Sequence, residues 1–134
     1  MAGSNRAWQP VSLANQPPPI GAYSPAVRAG DFVFVSGQVP RDPRTGQTGA
    51  GDFAAQTRLT LDNLRTVLEA AGASLDHVTA VTVYLADIGD WDAFNAIYRE
   101  TFRPPYPSRA VVGAQLHGFL VEVSAVAYLG GGRE

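Results

Sequence analysis

Two charged side chains interrupt apolar, strand-like runs near the C-terminus. Arg109 lies in Pro107-Ser108-Arg109-Ala110-Val111-Val112, and Glu122 lies in Phe119-Leu120-Val121-Glu122-Val123-Ser124-Ala125-Val126. A charge in a half-buried strand is costly unless it meets an opposite charge, a hydrogen-bond partner or a ligand. Arginine is also the side chain best shaped to grip a carboxylate through two parallel N–H bonds. One reading is therefore a small anionic substrate held by Arg109, with Glu122 handling protons or water. The other is an Arg–Glu pair that ties two strands together, since structural ion pairs imitate sites.

The residues that are missing narrow the chemistry. The 134-residue chain has no Cys, which removes thiol nucleophiles, disulfides and thiolate metal sites. All ten basic residues are Arg. Without Lys there is no Schiff-base lysine, no covalent pyridoxal phosphate and no phosphate loop with its lysine. His77 and His117 are the two histidines; neither stands in a metal-ligand spacing or has a visible triad partner. No metal and no cofactor is expected. Catalysis would fall to carboxylates, hydroxyls, backbone groups, Arg and bound water.

Three further positions could line a pocket. Tyr23 sits in the turn Gly21-Ala22-Tyr23-Ser24-Pro25, and Ser36 ends an apolar run just before Gly37. Asn95 follows Phe94 at the edge of the apolar side of a helix. Each also has a plain reading, as a surface Tyr packed on a Pro-rich arm, a strand-end Ser and a helix-surface Asn.

The elements that must position these residues follow from patterning. Residues 1–16 are polar and unpatterned and read as a flexible arm, stiffened at its end by Pro17-Pro18-Pro19. Val27–Ala29, Gly30-Asp31 and Phe32–Ser36 read as a hairpin, and 41–51 as a surface loop. Asp52 is placed to cap a helix with Thr57, Leu61, Leu64, Leu68 and Ala71 as its apolar stripe and Gly72 as its stop. Val78–Leu85 alternates as a central strand. Asp90 is placed to cap a second helix carrying Trp91, Phe94, Tyr98 and Phe102, stopped by Pro104-Pro105. Strands at about Ser108–Ala114 and Phe119–Leu129 complete the order β-β-α-β-α-β-β, with 130–134 as a flexible tail. Two helices on one face of a mixed sheet make an α+β fold, one domain over 17–129.

The other sheet face would carry Leu120, Val126 and Tyr128 beside Glu122 and Ser124. That is too apolar for water and too polar for a sealed core, which suits a subunit interface containing a ligand cleft. The balance of the chain is mild: 46% hydrophobic, 16% charged, net charge −2 and pI about 5.6. No stretch is basic enough for a nucleic-acid surface. No apolar run reaches the ~20 residues of a membrane span, and no signal peptide is visible, so a cytoplasmic location is expected.

Taken in order and spacing, Gly21-Ala22-Tyr23-Ser24-Pro25, Val35-Ser36-Gly37-Gln38-Val39-Pro40, Phe94-Asn95-Ala96-Ile97-Tyr98, Pro107-Ser108-Arg109 and Val121-Glu122-Val123 resemble the RidA family. This family is also called YjgF and, in older labels, endoribonuclease L-PSP. The resemblance spans residues 17–129. It implies a chorismate-mutase-like trimer, sheets packed as a barrel with helices outside and clefts between subunits. It further implies a cofactor-independent deaminase that hydrolyses enamines and imines such as 2-aminoacrylate to 2-oxo acids and ammonia. Arg109 maps onto the carboxylate-binding arginine and Glu122 onto the acid beside the attacking water. Tyr23, Ser36 and Asn95 map onto other pocket positions, and the backbone carbonyl of Val111 onto a contact to the substrate amino group. Val111 and Ser124 are departures, standing where archetypal members often carry cysteine and a second acid. Alternatives are an endoribonuclease or translation inhibitor, which the acidic charge disfavours, and a non-catalytic metabolite-binding trimer.

Overall fold

Alternation of Val, Leu and Ala with polar or aromatic residues sets the sheet. The structure, a computed structural model, describes residues 6–130. Its strands are β1 (Gln9–Val11), β2 (Ala26–Ala29), β3 (Phe32–Gln38), β4 (Val78–Leu85), β5 (Ser108–Gly113) and β6 (Val121–Tyr128). The helices are α1 (Phe53–Ala70) and α2 (Trp91–Thr101). They form a six-stranded sheet in the order β1-β2-β3-β6-β4-β5. Neighbours run antiparallel except β4 and β5. A parallel pair needs a crossover, and α2 provides it.

One face of the sheet is sealed. Val33, Val35, Val81, Val83, Leu85, Val121, Val123 and Ala127 are buried beneath Leu61, Leu64 and Leu68 of α1 and Phe94, Ile97 and Tyr98 of α2. Burial of each such aliphatic side chain stabilises the fold by about 1.5–3 kcal/mol relative to exposure. Asp52 caps α1 by accepting from the backbone N–H of Ala55 at 2.9 Å. Gly72, at φ 82°, provides the left-handed turn that ends it. Buried Gln56 donates to the carbonyls of Gly49 and Gly51 and accepts from the N–H of Leu120. It thereby fixes the entry of β6 against α1.

The opposite face carries Phe32, Phe34 and Tyr128, all exposed, beside partly buried Glu122, Ser124 and Val126. Phe32 touches both Phe34 and Tyr128, with ring centroids 6.2 and 5.0 Å away. The three rings form one contiguous exposed aromatic patch on the uncovered sheet.

Four details differ from the sequence reading. The arm expected to be loose contains β1, which pairs with β2 as Gln9↔Arg28 and Val11↔Ala26. A three-residue edge strand holding Pro10 is too short to show alternation, and proline is tolerated only at such an edge. Asp90 makes no side-chain capping bond at the start of α2. Asp87 instead accepts from Gly89 N–H at 2.8 Å, in a 3-10 turn that leads into the helix. Trp91 is exposed rather than packed beside Phe94, Tyr98 and Phe102. Finally, β5 and β6 do not adjoin, because β4 pairs with both. Residues 1–5 of the expected arm and 131–134 of the expected tail lie outside the described residues. Among the described residues no helix is long and apolar enough to cross a membrane.

Candidate active site

The candidate residues fall into two separate groups on this chain. The first is built on α2 and the edge strand β5. Arg109 stands opposite Val81 in the β4–β5 register, on the helix-covered side of the sheet. Its guanidinium carbon lies 4.6 Å from the centre of the Tyr98 ring and 5.3 Å from that of Trp91. No described residue forms an ion pair with it. Cation–π contacts hold the charge without neutralising it, at roughly 0.5–2 kcal/mol each depending on desolvation. Asn95 stands one helical turn from both rings. With Tyr98, Tyr106 and Pro107, Asn95 and Arg109 line a recess of about 340 Å³. The Tyr98 hydroxyl is buried without a hydrogen-bond partner. Burial pushes its pKa up to about 12, against the opposing pull of Arg109. It stays neutral there. Val111 packs its side chain toward the core beside Val83.

The second group sits on the uncovered face, where β3 meets β6. Between Val35 and Gln38 the register slips, so that Ser36 and Gly37 together face one residue of β6. Such a bulge re-aims side chains. Here it lets the Glu122 carboxylate lie directly against Gly37, where any Cβ would collide with it. Glu122 has no ion pair among the described residues. Burial raises its pKa above the ordinary carboxylate value. The Ser36 hydroxyl donates to the carbonyl of Ser24 at 2.6 Å, and Ser36 N–H to the carbonyl of Pro25 at 3.0 Å. These bonds dock the Gly21–Pro25 turn on the end of β3, with Tyr23 exposed at its tip.

The expected Arg109–Glu122 neighbourhood is thus not made within one chain. The two side chains stand on opposite faces of the sheet, with β4 between their strands. This also removes the reading of a strand-tying ion pair. Asn95 and Arg109 meet on the helix-covered side at the β5 edge, with Val111 two residues along the same strand; Ser36 and Glu122 stand at the β3–β6 bulge, the Glu122 side chain on the uncovered face, with Tyr23 on the turn docked beside Ser36. Sequence reasoning missed the aromatic platform beneath Arg109. The signal was present, because Trp91, Asn95 and Tyr98 recur at i, i+4, i+7 and so share one helix face. Gly37 lies inside β3, beyond the apolar run that ends at Ser36, and its contact with Glu122 depends on a bulge that no local pattern announces. His77 serves a turn, its Nδ1 accepting from Ser74 N–H at 3.0 Å. No group of three or more His, Asp and Glu among the described residues could hold a metal ion.

A mixed six-stranded sheet with two helices on one face defines the fold class. The model of the endoribonuclease L-PSP family matches residues 13–129, and the chain belongs to that family, which includes the RutC and RidA proteins. A RutC family protein of Pyrococcus horikoshii is 46% identical over 88% of this chain and 95% of its own length. The human 2-iminobutanoate/2-iminopropanoate deaminase is 38% identical over 90% of this chain and 89% of its own. Among solved structures, RidA of an Antarctic Psychrobacter superposes with a TM-score of 0.83 at 35% identity, covering 90% of this chain and 98% of that one. Escherichia coli TdcF, solved with bound serine, gives 0.82 at 32% identity, covering 90% and 98%.

Proposed function

We propose that the protein is a cofactor-independent deaminase of 2-imino acids and their enamine tautomers, working in clefts formed between copies of the chain in a homotrimer. The observation that carries this reading is the pair of incomplete half-sites. An unneutralised guanidinium sits on an aromatic platform at one place, and a carboxylate with a raised pKa sits on an open, aromatic-rich face at another. Each half lacks what the other has. A second copy laid against the uncovered sheet would cover Phe32, Phe34 and Tyr128 and bring its own Arg109 to the Glu122 of the first. Serine bound to the related TdcF fits a small carboxylate-bearing ligand, and the deaminase name of the human relative fits the reaction.

In this mechanism Arg109 grips the substrate carboxylate through two N–H bonds, and Tyr98 and Trp91 hold its plane. Asn95 and the Val111 backbone carbonyl orient the nitrogen; Tyr23 and Ser36 close the cleft from the other copy. The enamine takes up a proton at its terminal carbon and becomes the iminium. Glu122 accepts a proton from water as the water oxygen bonds to the iminium carbon. The carbinolamine nitrogen then recovers that proton, the C–N bond breaks as the hydroxyl gives its own proton to Glu122, and ammonia and the 2-oxo acid leave; Glu122 returns that last proton to solvent, replacing the one the enamine took up. A raised Glu122 pKa suits a group that must both take and return a proton.

The test couples purified protein to a serine or threonine dehydratase and traps free imine with semicarbazide. The wild type should lower the trapped imine, and Arg109→Ala should lose about 2–5 kcal/mol of transition-state binding. Unchanged trapping by the wild type, or full activity in the variant, refutes the reading. The nuclease activity carried by the family name is the rival, and steeply salt-dependent RNA binding would favour it. Binding of 2-oxo acids in calorimetry without turnover would favour a metabolite sensor.

A further inference from the structure

A second cavity, apart from the Arg109 recess, lies between the Pro17–Pro19 run, the end of β3 and the outer side of α1. Its volume is about 280 Å³, and its walls include Leu13, Val39 and Val67, with Asn63 and Thr66 from α1. Arg41 brings the sole formal charge to this wall; no Asp or Glu contributes to it. The arginine is built in. Asn63 donates to the carbonyls of Val39 and Arg41 at 3.0 and 2.9 Å, fixing its backbone. Its own Nη2 donates to the carbonyl of Pro18 at 2.8 Å, holding the proline run across the cavity. Its Nε–H is buried beneath the wall and meets no acceptor, so only the outer end of the guanidinium can face the cavity. Arg41 forms no ion pair among the described residues, and the adjacent Asp42 carboxylate is engaged by Arg44 and by the turn amides of Arg44 and Thr45.

A half-buried cation without a carboxylate partner, in an acid-free pocket whose walls mix Leu13, Val39 and Val67 with neutral Ser12, Gln16 and Gln38, is stabilised by an anion. We infer that this cavity is a second binding site, for a small monocarboxylate held by Arg41. At roughly 30 Å³ per water the volume equals about nine waters, which suits a ligand on the order of ten non-hydrogen atoms. Tyr23 and Gly37 also line the cavity, so it shares a wall with the Glu122 half-site. The inference does not depend on the deaminase reading.

The probe is 4-fluorophenylacetate, followed by 19F NMR line broadening on the full chain. Saturable binding is expected, weakened at least tenfold in Arg41→Gln and unchanged in Arg109→Ala. The neutral 4-fluorophenylacetamide should bind at least tenfold more weakly. Thr66→Phe, at an exposed position of α1 that lines the cavity, should block binding while leaving the Arg41–Pro18 bond in place. It decides the matter if Arg41→Gln fails to fold. Absence of saturable binding, equal binding of the amide, or wild-type binding by Thr66→Phe would overturn the site. Loss in Arg109→Ala with Arg41→Gln unaffected would place the probe in the other recess and also overturn it.

Discussion

Replacing Gly37 with alanine separates catalytic geometry from folding. A Cβ at this position would stand 2.8 Å from Cδ and 3.2 Å from Cγ of Glu122. Carbon atoms in ordinary contact stand about 3.5–4.0 Å apart, so the carboxyl carbon must retreat by roughly 0.7–1.2 Å. The displaced group is the far end of a flexible side chain, so the fold can absorb the change at the low end of the ~1–3 kcal/mol typical of overpacking. The reaction cannot absorb it as well. A displacement of about 1 Å at a reacting group costs on the order of 100-fold in rate. Gly37→Ala should therefore lower kcat about 100-fold in the semicarbazide assay. KM should change little, because the proposed grip of Arg109 on the substrate carboxylate is left in place. A thermal melt should show a folded protein. Wild-type kcat in this variant would refute the role given to Glu122. A kcat loss that merely follows loss of folded protein would refute the geometric argument.

Other consequences concern pH and the platform. Glu122 must be ionised to accept a proton, so kcat/KM should rise with pH through a midpoint above 4.5, the ordinary value from which burial raises it. In Glu122→Gln that limb should vanish along with most activity. Because the folded-state pKa lies above the unfolded one, the folded protein loses stability as pH rises from the unfolded value through the folded value. Glu122→Gln should therefore melt higher than wild type at neutral pH, and the gain should disappear below the unfolded pKa, where both forms are neutral. Tyr98→Leu should raise KM by about 2- to 30-fold, matching a cation–π contact of roughly 0.5–2 kcal/mol. Tyr98→Phe keeps the ring and removes an unpartnered buried hydroxyl, so KM should hold and the melting temperature should stay level or rise.

Much of the fold was legible because single periodicities carry it. The stripe Leu61, Leu64, Leu68 and the cap Asp52 announce α1, and Val81, Val83 and Leu85 announce a strand packed on one side. Strand order was not legible: β6 enters between β3 and β4, and long-range pairing leaves no mark in local pattern. That insertion puts Arg109 and Glu122 in non-adjacent strands, facing opposite ways, although 13 positions and two alternating runs suggest neighbours. The second sheet face was readable as a mixed aromatic and polar surface, since Glu122, Ser124 and Tyr128 share one parity. The Gly37 contact was not, because a bulge shifts parity by one residue. Arg41 looked like part of a surface loop, since the proline run that covers it lies more than 20 residues upstream.

Subunit mixing tests the composite cleft most directly. Arg109→Ala and Glu122→Gln, each inactive alone, are unfolded together and refolded into mixed assemblies. If every cleft takes Arg109 from one copy and Glu122 from its neighbour, random mixing at equal ratio restores about one quarter of the clefts, half times half. Activity should return to about that fraction of wild type, with each variant refolded alone remaining inactive. No recovery in properly assembled mixtures would mean that both groups act from the same chain, and would contradict the account.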